Sequence, residues 1–158
     1  MLILGIDPGY DRLGIALIDK QPKQKEVLIK SACLSSNKTD PFPLRLKNLA
    51  DGINDYLDHY QIDRLVIESL FLNINKKTAS RVSEVRGMIL YLAGCHNIPV
   101  LELTPLQVKI AVTGYGRASK DQITHMAKMI LNLPPTIKYD DEYDAIIIAL
   151  AGLNPHLI

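Results

Sequence analysis

The stretch GIDPGYDRLGIAL, from Gly5 to Leu17, decides the fold. It follows the apolar run that begins at Leu2, and it interrupts that run with an aspartate, a proline and a glycine before apolar residues resume. Because Pro-Gly favours a tight turn, the pattern predicts two short strands joined by that turn. Asp7 then closes the first strand. A carboxylate at that position is either an ordinary turn residue or part of a functional site.

The rest of the chain continues this pattern with further strands and then helices. Apolar runs and polar connections predict strands over 2–6, 14–18, 27–34, 64–68 and 99–103. Three-and-four spacing predicts helices over 43–60, 78–96, 106–112, 120–131 and 140–153, with Ser119 as the N-cap of the fourth. The order βββαβαβααα predicts an α/β fold whose mixed five-stranded sheet has three antiparallel strands, then two parallel ones, and flanking helices.

Length and composition favour one globular domain spanning 1–158. The 158 residues are enough for a substantial core, and 47% of them are hydrophobic. No stretch approaches the ~20 apolar residues that cross a bilayer, and the opening has no basic segment typical of a secretory signal. We therefore expect a cytoplasmic protein that does not contact membranes, with Cys33 and Cys95 as reduced thiols in the core.

The distribution of charge is uneven, although the net charge is only +1. Residues 71–130 contain eight Lys or Arg residues and three Asp or Glu residues, while acids predominate in the rest of the chain. Such asymmetry indicates an anionic partner, with solvated helix faces as the alternative explanation.

Four carboxylates are candidates for one site. Asp7 and Glu68 each close an apolar strand, and Asp141 and Asp144 lie three residues apart at the start of the last helix. Each also has a structural explanation, as a turn residue, a strand end or an acid favoured at a helix N-terminus. Asp140, four residues before Asp144, is the alternative third acid, and we prefer Asp141 for its spacing.

If these acids meet, their repulsion calls for a cation. Two like charges ~4 Å apart repel by about 4 kcal/mol at an effective dielectric near 20. Two divalent ions bound by oxygen ligands would remove that repulsion and could promote phosphodiester cleavage. No Cys/His cluster suggests zinc, so Mg²⁺, with Mn²⁺ as a substitute, is the expected ion.

Four segments resemble the RuvC-type Holliday junction resolvases, a family of ribonuclease-H-like nucleases. They are GIDPGYDRLGIAL, IESLFLNINKKTASRVSEVRG, LTPLQVKIAVTGYGRASKDQITHM and DEYDAIIIAL, and they occur in the family's order and spacing. The resemblance covers essentially the entire chain. It departs from the family at Glu142 and Tyr143, where small residues are common.

The resemblance implies specific residue roles. Asp7, Glu68, Asp141 and Asp144 match the family's metal-binding catalytic acids. Phe71 matches an aromatic residue used at the open centre of the junction. The candidate DNA-binding residues are Phe71, Asn75, Lys76, Lys109, Arg117 and Lys120.

The implied activity is paired, symmetric cleavage of four-way DNA junctions by a Mg²⁺-dependent homodimer, with two ions at each site. The products would carry 5′-phosphate and 3′-hydroxyl ends, and a branch-migration motor would act on the same junction. One alternative is a related nuclease that acts on structured RNA, like the RuvX/YqgF proteins. Others are a non-catalytic junction-binding protein and an actin-like sugar kinase, for which the chain lacks room for a second nucleotide-binding lobe.

Overall fold

The computed structural model of the protein describes residues 1–69 and 76–154. Within them the chain forms five strands and five helices in the predicted order. The strands are β1 (Leu2–Asp7), β2 (Arg12–Asp19), β3 (Val27–Ser35), β4 (Arg64–Glu68) and β5 (Val100–Leu103). The helices are α1 (Phe42–His59), α2 (Lys76–Cys95), α3 (Pro105–Thr113), α4 (Lys120–Leu131) and α5 (Asp140–Ala151).

The strands form one mixed sheet in the order β3-β2-β1-β4-β5. β2 pairs antiparallel with both β1 and β3, whereas β4 pairs parallel with β1 and β5. The predicted sheet is therefore confirmed. β2 begins earlier than its apolar pattern indicates, because Arg12 already pairs with Ser35 of β3.

Helices cover both faces of the sheet, as the two-residue alternation of strand side chains requires. Leu4 of β1 and Ile67 of β4 belong to a core with residues of α1 and α2. Ile3 and Val66 face the other way and belong to a core with residues of α3, α4 and α5. Every residue of α5 from Ala145 to Ala151 is buried, so this helix lies inside its layer.

The start of α4 follows the sequence prediction closely. Ser119 caps the helix: its hydroxyl accepts a hydrogen bond from the Gln122 amide, and the Gln122 side chain accepts one from the Ser119 amide. The prediction for the cysteines is wrong in part, because Cys33 is only half-buried and Cys95, the last residue of α2, is exposed; both are free thiols. No helix in the described residues is long and apolar enough to cross a membrane.

Candidate active site

Asp7 and Glu68 lie side by side at one edge of the sheet. The alternation that turns Ile3 and Gly5 toward α5 also turns Asp7 toward it. The parallel register pairs Gly5 with Val66, so two residues further on Asp7 is level with Glu68. Both carboxylates therefore lie on the α5 face, where the two parallel strands end.

Two glycines allow α5 to approach this edge. A Cβ atom on Gly5 would lie 2.5 Å from the main-chain oxygen of Ala145, and one on Gly14 would lie 1.8 Å from that of Asp141. Any larger residue would force the helix away from β1 and β2. The close contact brings the first turns of α5, with Asp141 and Asp144, to the end of the strand that carries Asp7.

Three of the four predicted acids line one cavity of about 260 Å³: Asp7, Glu68 and Asp144. Two of the predicted basic residues, Lys109 of α3 and Lys120 of α4, line the same cavity. The Nζ atom of Lys120 donates a hydrogen bond of 2.9 Å to Asp144 Oδ2. The rest of the wall is mostly apolar and consists of Pro105, Val108, Ile123, Ile147 and Ile148.

The acids in this cavity perturb one another strongly. The pKa of Asp7 is raised from 3.8 to about 7, mainly by burial and then by the charges of Asp144, Glu68 and Asp141. Burial, followed by the charge of Asp144, also raises the pKa of Glu68. The hydrogen bond to Asp144 raises the pKa of Lys120, which favours its charged form. Such shifts are typical of functional sites, since folding alone gains nothing from crowding carboxylates.

Asp141 is close to this cluster but does not line the cavity. Its Oδ2 atom lies 2.9 Å from Arg12 Nε of β2, and the Arg12 guanidinium lies 5.7 Å from the Tyr139 ring centroid. That oxygen is buried, and no hydrogen bond satisfies it within the described residues, because the contact with Arg12 lacks hydrogen-bond alignment. Asp140, the alternative third acid, is 83% exposed and lies 3.8 Å from Lys120 Nζ.

The donor chemistry of the cluster fits a hard divalent cation. Carboxylate oxygens are the ligands that Mg²⁺ prefers, and a bound cation would reverse the repulsion that raises the pKa of Asp7. The buried Oδ2 atom of Asp141, which lies against Arg12 but has no hydrogen bond among the described residues, could serve as a further ligand. Across residues 1–69 and 76–154, however, no three His, Cys, Asp or Glu side chains are already gathered around one point as metal ligands. Two of the acids instead contact Arg12 and Lys120.

The other predicted DNA-binding residues have different placements. Arg117 is exposed on the loop before α4 and does not line the cavity. Lys76 is described only as the first residue of α2. Phe71 and Asn75 lie outside the described residues. Lys109 and Lys120 are thus the two members of this set that the structure places beside the acids.

Arg86 fits the family pattern in the sequence, but that pattern did not reveal that this residue holds the backbone of Glu68. Arg86 of α2 is nearly buried, and its Nη1 atom donates a hydrogen bond of 2.8 Å to the carbonyl oxygen of Glu68. It also forms an ion pair with Glu102 of β5. Arg86 therefore ties a helix to the ends of two strands.

Glu142, which departs from the family pattern, has a structural partner. Its Oε1 atom accepts a hydrogen bond of 2.6 Å from the Ser31 hydroxyl on β3. The contact fastens the first turn of α5 to the outer strand of the sheet. Glu142 therefore points away from the cavity and leaves the other acids of this turn to face Arg12 and Lys120.

A mixed sheet in this order, with acids where β1 and β4 end and where α5 begins, defines the class of ribonuclease-H-like nucleases. The family within that class follows from comparison with known proteins. The model of the family "Crossover junction endodeoxyribonuclease RuvC" matches residues 3–152, and the chain belongs to this family. It is therefore a nuclease, and nucleases of this family depend on metal ions.

Individual relatives agree with this assignment. The chain is 44% identical over 150 residues to the crossover junction endodeoxyribonuclease RuvC of Desulforamulus reducens, covering 95% of this chain and 91% of that protein. It is 41% identical over 154 residues to the RuvC of Petrotoga mobilis, covering 98% and 94%. The structure of T. thermophilus RuvC in complex with a Holliday junction substrate matches with a TM-score of 0.89 at 26% identity, covering 96% and 92%. The resemblance and the fold class expected from the sequence are confirmed.

Proposed function

We propose that this protein resolves four-way DNA junctions by paired, symmetric phosphodiester cleavage that leaves 5′-phosphate and 3′-hydroxyl ends. The observation that carries the proposal is the cavity in which Asp7, Glu68 and Asp144 lie beside Lys109 and Lys120. Its acids can bind divalent cations, and its lysines can neutralise a DNA strand. Membership of the RuvC family makes junction DNA the substrate in recombination and repair.

The acids would hold two Mg²⁺ ions at each site, and Mn²⁺ can substitute. When bound, such ions supply an activated water and stabilise the leaving oxygen. Asp7 and Glu68 would hold the ions, and Asp141 and Asp144 would complete the set of ligands. Glu68 and Asp144 line the cavity together with Asp7, whereas Asp141 contacts Arg12 of β2.

The basic residues would orient the DNA strand. Lys109 and Lys120 line the cavity, so each can contact a phosphate next to the scissile bond. Arg117, exposed on the adjoining loop, would extend this contact along the strand. We assign Phe71, Asn75 and Lys76 to the DNA interface on the basis of the sequence resemblance alone.

The junction itself favours a homodimer. One domain, spanning 1–158, carries one cluster of acids, whereas resolution requires two matched cuts related by two-fold symmetry. A dimer of identical subunits supplies both. The motor that drives branch migration would be a further partner on the same DNA, and the proposed location is the cytoplasm.

Cleavage of synthetic junctions with Mg²⁺ or Mn²⁺ tests the proposal. Wild-type protein should cut four-way junctions at symmetric positions and leave linear duplex and structured RNA of matched length intact. Asp7→Asn, Glu68→Gln, Asp141→Asn and Asp144→Asn should each lower the cleavage rate while junction binding remains. Asp19→Asn, at the end of β2 farthest from the acids, is the matched control and should cut normally. The proposal fails if wild-type protein binds junctions normally but leaves them uncut, or if it prefers RNA.

A further inference from the structure

Three basic side chains lie near the acids, and one of them lies outside the cavity. Lys120 contacts Asp144, and the charge of Lys109 acts on Glu68; both lysines line the cavity. Arg12 contacts Asp141 instead, and neither member of that pair lines the cavity. Asp141 is thus the only one of the four proposed metal ligands that does not line it.

The backbone around this pair is firmly placed. Arg12 is the first residue of β2 and pairs with Ser35. The main-chain oxygen of Asp141 lies so close to Gly14 that a Cβ atom there would be 1.8 Å away. Rotation of the Asp141 side chain, rather than movement of α5, therefore decides whether its carboxylate contacts Arg12 or the other acids.

The Arg12 side chain has other favourable surroundings to turn to. It is 52% exposed, so water can solvate the guanidinium when the ion pair opens. The Tyr139 ring, 5.7 Å away, offers a cation–π contact that does not require Asp141. Asp141 Oδ2, by contrast, is buried and has no hydrogen bond among the described residues. Opening the ion pair therefore costs the solvated guanidinium little, whereas a new ligand contact would satisfy the buried oxygen of Asp141.

We propose that Arg12 is a positioning residue that holds the Asp141 carboxylate outside the cavity and competes with a divalent cation for it. The inference rests on the proposed function in so far as the acids bind such a cation. A guanidinium and a metal ion repel each other at one carboxylate, so the ion pair must open before Asp141 can become a ligand. Arg12 therefore lowers the affinity of the acids near Asp141 for a divalent cation. A higher metal concentration is then needed before Asp141 binds the ion.

Titration of the protein with Mn²⁺ in the absence of DNA, followed by calorimetry, tests this role. Arg12→Gln should lower the apparent Kd for Mn²⁺ about two- to fivefold, the range expected for loss of a half-exposed ion pair. Arg12→Lys keeps the charge and should stay near the wild-type Kd. Lys38→Gln is the matched control: it removes the same charge from an exposed pair, 3.2 Å from Asp11, and should leave the Kd unchanged.

A double variant determines whether the effect passes through Asp141. In a protein that carries Asp141→Asn, adding Arg12→Gln should no longer lower the Kd for Mn²⁺. If Arg12 acted only through its charge at a distance, the Kd would still fall. The inference is overturned if Arg12→Gln, folded with a normal melting curve, binds Mn²⁺ no more tightly than wild type. It is also overturned if the double variant binds Mn²⁺ more tightly than Asp141→Asn alone. A wild-type protein that binds no Mn²⁺ would overturn the proposed function as well. Wild-type binding with an unaltered Arg12→Gln would overturn only the role of Arg12.

Discussion

Replacing Asp7 with asparagine should stabilise the metal-free protein at alkaline pH. The pKa of Asp7 is raised from 3.8 to about 7, so between these values the folded protein keeps a proton that the unfolded chain has released. The free energy of unfolding therefore falls as pH rises through this window, and the full penalty is present above pH 7. A shift of about three units corresponds to roughly 4 kcal/mol at pH 8, and to about 1.5 kcal/mol at pH 5.

Asp7→Asn keeps the shape of the side chain and removes this penalty. In buffer with EDTA at pH 8, its melting temperature should exceed that of wild type by about 10 °C, and the difference should shrink steadily toward pH 4. Urea denaturation followed by circular dichroism gives the free energies directly. Mg²⁺ should then raise the stability of wild type more than that of the variant.

The control is Asp19→Asn, at the half-buried end of the neighbouring strand β2. A hydrogen bond from the Gln21 side chain is the main cause that lowers the pKa of Asp19, so this charge favours folding above its ordinary pKa. Its removal should leave stability at pH 8 equal or slightly lower. Equal stability of wild type and Asp7→Asn at pH 8 in EDTA would refute the reasoning, because ionised Asp7 would then not lower the free energy of unfolding.

Three further substitutions test how the site is assembled. Gly14→Ala should cost about 1–3 kcal/mol in urea denaturation and slow cleavage, because its new Cβ would displace the backbone of Asp141. Lys120→Gln should weaken junction binding and reduce by about 1 the slope of log binding constant against log salt, as measured by fluorescence anisotropy. Arg86→Gln should cost about 1.5–3 kcal/mol in the same denaturation assay, since the Glu68 carbonyl loses a charged donor, and Arg86→Lys should recover part of it.

The sequence was enough to predict the features that depend on local pattern. The apolar run of β1 and the Pro-Gly turn after it place Asp7 at the end of a strand, and helical spacing places Asp144 near the start of α5. Ser119 was identified as a cap because the capping interaction spans only three residues. These interactions are short in sequence, so a single chain contains all the information that they need.

Contacts between distant segments could not be predicted in the same way. The ion pair of Arg12 with Asp141 joins residues more than a hundred positions apart, and it depends on how closely α5 packs against β2. The hydrogen bond from Arg86 to the Glu68 carbonyl depends on how α2 crosses the end of β4. Neither residue type nor spacing indicates such a partner, because many surface arginines occur in similar patterns without one.

The arrangement on α5 also changes how the spacing of Asp141 and Asp144 should be interpreted. Residues three apart on a helix differ by about 60° in direction and about 4.5 Å along the axis, so they share a face only approximately. Here that difference is sufficient for Asp144 to contact Lys120 and for Asp141 to contact Arg12. Asp144 lines the cavity with Asp7 and Glu68, whereas Asp141 does not. Each of the two acids also contacts its own basic residue, so the two need not bind metal equally well.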